Sequence, residues 1–349
     1  MKRTILDFTL PEFEAEIQRL GHPAYRAKQV FDWIYRQGSR SFDEMKNLPR
    51  ALATELARGF DIAAARVLDT ARDITGKRGT SKHLIEFAGG ARAETVCILE
   101  GARRTVCLSA QSGCPVGCVF CASGAAGLVR SLTSGEMIQQ VLLFEEGTAR
   151  TVTNVVIMGM GEPLLNYDQT VKFVRCATAP WGLALSARRI TLSTVGIVKG
   201  IERLAGEDLK INLAISLHAP DDRLRSRLVS RNEGVDEIIA AARKYFERTK
   251  REVTFEYVLI GGVNSGEKHA RALARKLRDV RCSVNVIAYN PVPEVAPELQ
   301  RPDPATVRSF VGTLRNCGIN ATLRKSRGGA INAACGQLRL RSLKNAKRT

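Results

Sequence analysis

The sequence predicts an α/β protein built on a parallel sheet, preceded by a small helical module and a short β linker. Three observations predict it. Apolar strand-like runs alternate with helical periods from residue 105 onward, the first 90 residues lack that alternation, and glycine and polar signals gather just after the strands. Strands are expected at Thr105–Ser109, Thr153–Met158, Arg189–Ser193, Leu209–His218, Val253–Ile260 and Ser283–Tyr289, with a last one at Asn320–Arg324. Helical periods lie between them, around Ser134–Glu146, Tyr167–Thr178, Val198–Leu204, Asp236–Arg248, Glu267–Arg278 and Pro304–Cys317. About six such β/α units imply a parallel sheet, either doubly wound or curled into a barrel, and both place function at the carboxyl ends of the strands.

The N-terminal part reads differently. Ala27, Val30, Phe31 and Ile34 recur at helical spacing, and Leu52, Leu56 and Phe60 mark another helix after Asn47-Leu48-Pro49. From Val67 to Val106, short alternating runs around Gly76, Gly79 and Gly89-Gly90 predict hairpins.

Composition narrows the function. The 349 residues carry 53 Lys and Arg against 35 Asp and Glu, a formal charge of +18. Such a balance favours a polyanionic partner, most plausibly nucleic acid; a proteome that simply runs basic is the plain alternative. No apolar run is long enough to span a bilayer, and the start Met1-Lys2-Arg3 is too quickly charged for a secretory signal, so no membrane partner and a cytoplasmic location are expected. In that compartment nine cysteines point to metal, redox or core roles rather than a disulfide framework.

The sharpest motif follows the first strand of the alternating region. Cys114, Cys118 and Cys121 stand in a Cys-x-x-x-Cys-x-x-Cys loop. A closed zinc site needs four ligands, and no second Cys pair is present; three thiolates leave one metal position open. A zinc knuckle borrowing a distant ligand, or a chance grouping of buried cysteines, is the competing reading. The other strand ends carry Gly159-Met160-Gly161-Glu162-Pro163, Ser193-Thr194-Val195-Gly196, Ser216-Leu217-His218 and Asn290-Pro291.

The cysteine loop on β/α units resembles the radical S-adenosylmethionine superfamily. That resemblance implies a partial (β/α)6 TIM-like barrel, with three irons of a 4Fe-4S cluster on Cys114, Cys118 and Cys121 and the fourth chelated by S-adenosylmethionine. Soft thiolates suit iron–sulfur ligation. Gly161 and Glu162 resemble the element that binds the methionine amine, and Ser193, Ser216, Leu217, His218 and Asn290 match other cofactor-binding positions. His218 reads equally well as a structural histidine at a strand end.

Arg324-Lys325-Ser326-Arg327-Gly328-Gly329 leading to Ala334-Cys335-Gly336-Gln337-Leu338 is similar to the C-terminal signature of the RlmN and Cfr group of RNA adenine methyltransferases. Pro163 favours the RlmN family, which acts on 23S ribosomal RNA and transfer RNA. The resemblance implies methylation of adenine carbon 2, an electron-poor position that does not attack a methyl sulfonium. In that route Cys335 takes a methyl from one S-adenosylmethionine and loses a hydrogen to the 5′-deoxyadenosyl radical made from a second. The carbon radical adds to the base. Cys107 then releases the product as a Cys107–Cys335 disulfide, which an external reductant reopens. Glu94 matches the proton acceptor. Without the resemblance, Cys107 reads as a core filler and Glu94 as a surface carboxylate.

The implied organisation is an RNA-binding helical module at 1–66, a β-hairpin linker or extension at 67–104, the barrel at 105–325 and a C-terminal segment at 326–349, in a monomer. RNA contacts are expected from the helical module, from Arg223, Arg225, Arg227 and Arg231, and from the tail residues Arg339, Arg341, Lys344, Lys347 and Arg348. Cys97, Cys176, Cys282 and Cys317 are expected in the core. Two departures from the family pattern, Ala330-Ile331-Asn332 and Val229-Ser230-Arg231-Asn232, leave a paralogue with a single RNA target as an alternative, beside a Cfr-like carbon 8 methyltransferase.

Overall fold

The computed structural model describes residues 2–62, 65–75, 78–145, 151–231 and 233–338. Gly76, Glu146, Asn232 and the basic tail from Arg339 lie outside the described residues.

Parallel strands form where apolar residues fill both faces. In Asn212–Ser216, Leu213, Ala214 and Ile215 are all essentially inaccessible, as expected when crossover helices cover the sheet. The parallel strands are Arg103–Leu108, Asn154–Ile157, Ile190–Thr194, Asn212–Ser216, Val253–Leu259, Cys282–Ala288 and Ala321–Leu323. Each pairs in parallel with the next in chain order. A doubly wound sheet reverses its strand order at a switch point; this one never does. Right-handed crossovers wound always in one direction put their helices on one side, which is the partial barrel.

Arg92–Glu100, Arg78–Glu86 and Arg66–Thr75 continue the same sheet antiparallel from Arg103–Leu108, so the hairpins extend the barrel edge. Gly89 and Gly90 turn one hairpin with φ of +81° and +80°, angles that only glycine adopts freely.

The N-terminal residues form three α-helices among those described. Leu10–Arg19 is a helix the sequence reading overlooked, although Thr9 and Glu12 make a capping box at its start. Tyr25–Tyr35 and Arg50–Gly59 follow. Their apolar faces share one core with the barrel: Phe31 packs 5.6 Å from Trp181, and Asp7 accepts the Gly135 N–H at 2.9 Å.

Among the other elements that went unread are the helix Asp222–Leu228 and the antiparallel pair Gln111–Gly113 with Leu128–Ser131. Both flank the cysteine loop. Cys97 and Cys176 are buried as expected, whereas Cys282 is half-buried and Cys317 is exposed, because it sits just past the last helix Pro304–Asn316.

Candidate active site

The carboxyl ends of the parallel strands surround a cavity that opens to solvent. Cys114, Cys118 and Cys121 line it together with Gly161, Glu162, Ser193, Ser216, His218, Asn290 and Cys335. Leu217 is the exception among the expected cofactor contacts. Strand alternation turns its side chain into the core with no accessible surface, so the segment offers Ser216 and His218 instead.

Backbone hydrogen bonds hold the cysteine loop. Cys114 N–H donates to Gly127, Val119 N–H to Leu228 and Arg231 N–H to Val116, all within 2.9–3.1 Å. The unusual Ser230 caps Gly117 with a 2.8 Å bond from its hydroxyl. Gly161 sits at φ +100°, and a Cβ there would lie 2.5 Å from the Gln111 side chain, so only glycine fits beside the loop.

Glu162 is buried. Its two oxygens accept the N–H groups of Leu164 at 2.9 Å and Val195 at 2.7 Å, and burial pushes its carboxyl up to about 7 against those bonds. His218 has φ +62° and accepts the Val258 N–H on Nδ1 at 3.1 Å. Burial, with the Arg225 cation second, holds it down at about 3. The ring is therefore neutral with its proton on Nε2, a donor on a residue that borders the cavity.

Arg225 corrects an expectation. Read as one of a run of RNA-facing arginines, it is fully buried, while Arg223, Arg227 and Arg231 are exposed. Its guanidinium donates to the carbonyls of Val195, Ser216 and Leu217, at the ends of two strands. Burial lowers it to about 10, with the Cys118 thiol acting in the opposite sense.

Among the described residues, no three His, Cys, Asp or Glu side chains converge to hold a single metal ion. The three loop thiols instead share one cavity wall, backed by Val116, Phe120, Val229 and Tyr289. Burial raises Cys114 to about 11 and Cys118 further. Soft thiols on an apolar wall, with the Arg225 cation beside Cys118, suit an iron–sulfur cluster, whose ligands attach to separate irons.

A second, smaller cavity adjoins the first. Cys107, Val96, Ile98, Ala333 and Leu338 line it, and Cys335 and Arg324 border both. The accessible surface of Cys335 faces these cavities. Its thiol is raised by burial and lowered by Arg324; Cys107 is pushed up to about 12.

The Cys335 segment is tied to both sides of the site. Asn290 Nδ2 donates to the Cys335 carbonyl at 3.3 Å, Ala122 N–H to Gly336 at 2.8 Å and Ser123 Oγ to Leu338 at 2.7 Å.

Glu94 borders neither cavity. It is buried on strand Arg92–Glu100, 2.9 Å from the Lys82 ammonium, which also donates to the Asn332 carbonyl at 3.1 Å. Sequence reasoning missed Lys82 and Glu256, took Arg225 for an RNA contact and named Arg324 only as part of the C-terminal signature. Glu256 had the clearest signal, a lone carboxylate inside the apolar strand Val253–Leu259.

Residues 108–277 match the radical SAM superfamily, and residues 4–62 match the ribosomal RNA large subunit methyltransferase N-terminal domain. The chain is 45% identical over 339 residues to a probable dual-specificity RNA methyltransferase RlmN of Symbiobacterium thermophilum, covering 96% of this chain and 90% of that one. It is 44% identical over 348 residues to the corresponding protein of Dictyoglomus thermophilum, covering 98% of each. A crystal structure of a radical SAM methyltransferase from Sphaerobacter thermophilus superposes with a TM-score of 0.91 at 45% identity, over 97% of this chain and 99% of that one.

Proposed function

The chain belongs to the RlmN family of radical S-adenosylmethionine RNA methyltransferases, and from that premise we propose that it methylates carbon 2 of adenine in 23S ribosomal RNA and transfer RNA through Cys335. The observation that carries the chemistry is the pair of adjoining cavities, with all three loop thiols on the first, Cys107 on the second, and Cys121 and Cys335 on both.

A 4Fe-4S cluster on Cys114, Cys118 and Cys121 would supply the electron that cleaves S-adenosylmethionine reductively. Gly161, Glu162, Ser193, Ser216, His218 and Asn290 surround the space for that cosubstrate and offer mostly uncharged donors and acceptors. Cys335 receives the methyl group there, gives up one of its hydrogens to the radical made from a second S-adenosylmethionine and bonds the remaining carbon to the base; the odd electron of the adduct would return to the cluster. The Cys107 thiol then attacks the Cys335 sulfur, a disulfide forms as the RNA leaves, and two electrons from an external reductant restore both thiols. The resemblance gives the carbon 2 proton to Glu94, which borders neither cavity and would have to leave its ion pair with Lys82 to reach the base. Lys82 in turn ties Glu94 to Asn332, three residues before Cys335.

Anaerobic reconstitution followed by nucleoside mass spectrometry of ribosomal and transfer RNA, treated separately, tests this. The expected product is 2-methyladenosine in both, absent with Cys335→Ala. Formation of 8-methyladenosine alone, or unaltered turnover by Cys335→Ala, overturns the reading; product in one RNA only marks a single-target enzyme.

A further inference from the structure

Methyl transfer to a thiol requires that the thiol first lose its proton. The base that removes it has no assignment among the residues above. Glu256 is 5% exposed and lines the cofactor cavity with Cys335. Its Oε1 accepts a 3.0 Å bond from Asn285 and lies 3.7 Å from Arg324 Nη1, while its Oε2 is buried with no hydrogen-bond partner. An unpartnered buried oxygen is costly to keep in a folded protein and often marks a working group. Arg324 borders both cavities, and its charge interacts with Cys335, Glu256 and Cys107.

We propose that Glu256 is the proton acceptor for Cys335 in the methyl-accepting step, with Arg324 as the positioning cation that stays beside the negative charge as it moves from carboxylate to thiolate. This rests on the reading of Cys335 as methyl carrier. The Cys335 S–H bond breaks and a Glu256 O–H bond forms. The thiolate then displaces the methyl from the sulfonium, giving a Cys335 thioether and S-adenosylhomocysteine. No external electron is needed, and the site's net charge is unchanged by the proton shift.

The charged and titratable groups acting on these side chains agree with that assignment. Burial raises Glu256, with Arg324 and Asn285 opposing, which brings the carboxylate closer to a thiol in basicity. Cys335 is raised by burial and by Glu256 and Cys121, and lowered by Arg324. A partner that takes the proton while the guanidinium steadies the anion removes both obstacles.

The test uses the reconstituted full chain and methyl-labelled S-adenosylmethionine without RNA, following label on the Cys335 peptide by mass spectrometry from pH 6.5 to 9.5. Glu256→Gln is expected to slow labelling about 100-fold at pH 7, with the deficit shrinking as pH rises and hydroxide replaces the base. Glu256→Asp should recover part of the rate. Arg324→Gln should slow labelling and move its pH midpoint upward, with Arg324→Lys intermediate. S-adenosylmethionine affinity, measured by equilibrium dialysis, should be unchanged in Glu256→Gln. A deficit constant across pH, or one matched by lost affinity, overturns the proposal and makes Glu256 a structural or cosubstrate contact. Equal labelling of wild type and Glu256→Gln overturns it too. Absence of label on wild-type Cys335, with RNA still methylated, instead overturns the carrier reading beneath it.

Discussion

The two walls of the active site are held in different ways. On the cluster side, the cysteine loop and Glu162 are wired through backbone groups: Val119 to Leu228, Arg231 to Val116, and Glu162 to the amides of Leu164 and Val195. On the carrier side, the chain beyond strand Ala321–Leu323 has little regular structure. Lys82, Ser123, Asn290 and the Ala122 N–H hold it at separate points, and its own Gln337 reaches the Pro291 carbonyl. Strand ends fix a group to within a fraction of an ångström, as radical generation requires. A segment pinned at a few separate points can change position, and the proposed route asks Cys335 to meet a sulfonium, a base and Cys107 in turn.

The largest effect expected from breaking this contrast is at Lys82. Lys82→Met removes the ammonium beside the buried Glu94 carboxylate and the anchor of Asn332, and should cost about 4 kcal/mol in urea unfolding. Lys82→Arg should recover part of it. A loss under about 1 kcal/mol would mean that the carrier side does not depend on this pin.

Arg225→Met tests the opposite wall. It strips a charged donor from three carbonyls at the strand ends and should cost about 3 kcal/mol, with release of iron during purification. If stability falls while iron content and Cys335 alkylation are unchanged, Arg225 supports the barrel alone.

A smaller effect appears on acidification. His218 has a folded pKa of about 3 against an ordinary 6.5, so the neutral ring's contribution is fully present above pH 6.5 and is lost as pH falls toward 3. Between pH 7 and 5 this one residue should remove about 2 kcal/mol from unfolding stability. His218→Asn, which tolerates the positive φ, should flatten that slope. An unchanged slope would show that His218 does not titrate as a buried ring.

Legibility followed the same division. The cluster wall was readable because parallel strands buried on both faces give apolar runs, and because the thiols, glycines and Glu162 sit at their ends. Arg225 was misread because a charge-rich stretch suggests a solvated face. Its spacing with Leu224 and Leu228 places it on the buried side of a helix only seven residues long, too short for periodicity to stand out. Lys82 pairs with Glu94 across adjacent strands and reaches Asn332 far along the chain, while Arg324 meets Glu256; sheet extension and segment docking bring these together. No local pattern records those pairings. Cys107 and Cys335 were found by resemblance alone, since neither carries a spacing that announces a second thiol pair.

The finest discrimination lies where the two walls touch. Ser123, one residue into the helix Ala122–Ala125 that follows the cysteine loop, is buried and donates 2.7 Å to the Leu338 carbonyl across the site. Ser123→Ala removes that bond and should cost about 1 kcal/mol, a local rather than a global loss if the carrier segment opens on its own. Hydrogen exchange is the measurement, because it separates the two. The Ala122 amide, bonded to Gly336, should exchange about 5-fold faster, while amides of Asn212–Ser216 keep their wild-type rates and the denaturation midpoint stays fixed. Acceleration of the strand amides by the same factor would mean that both walls open as one unit. The contrast between a fixed and a releasable wall would then fail, and carriage of the methyl group would need motion of the whole barrel mouth.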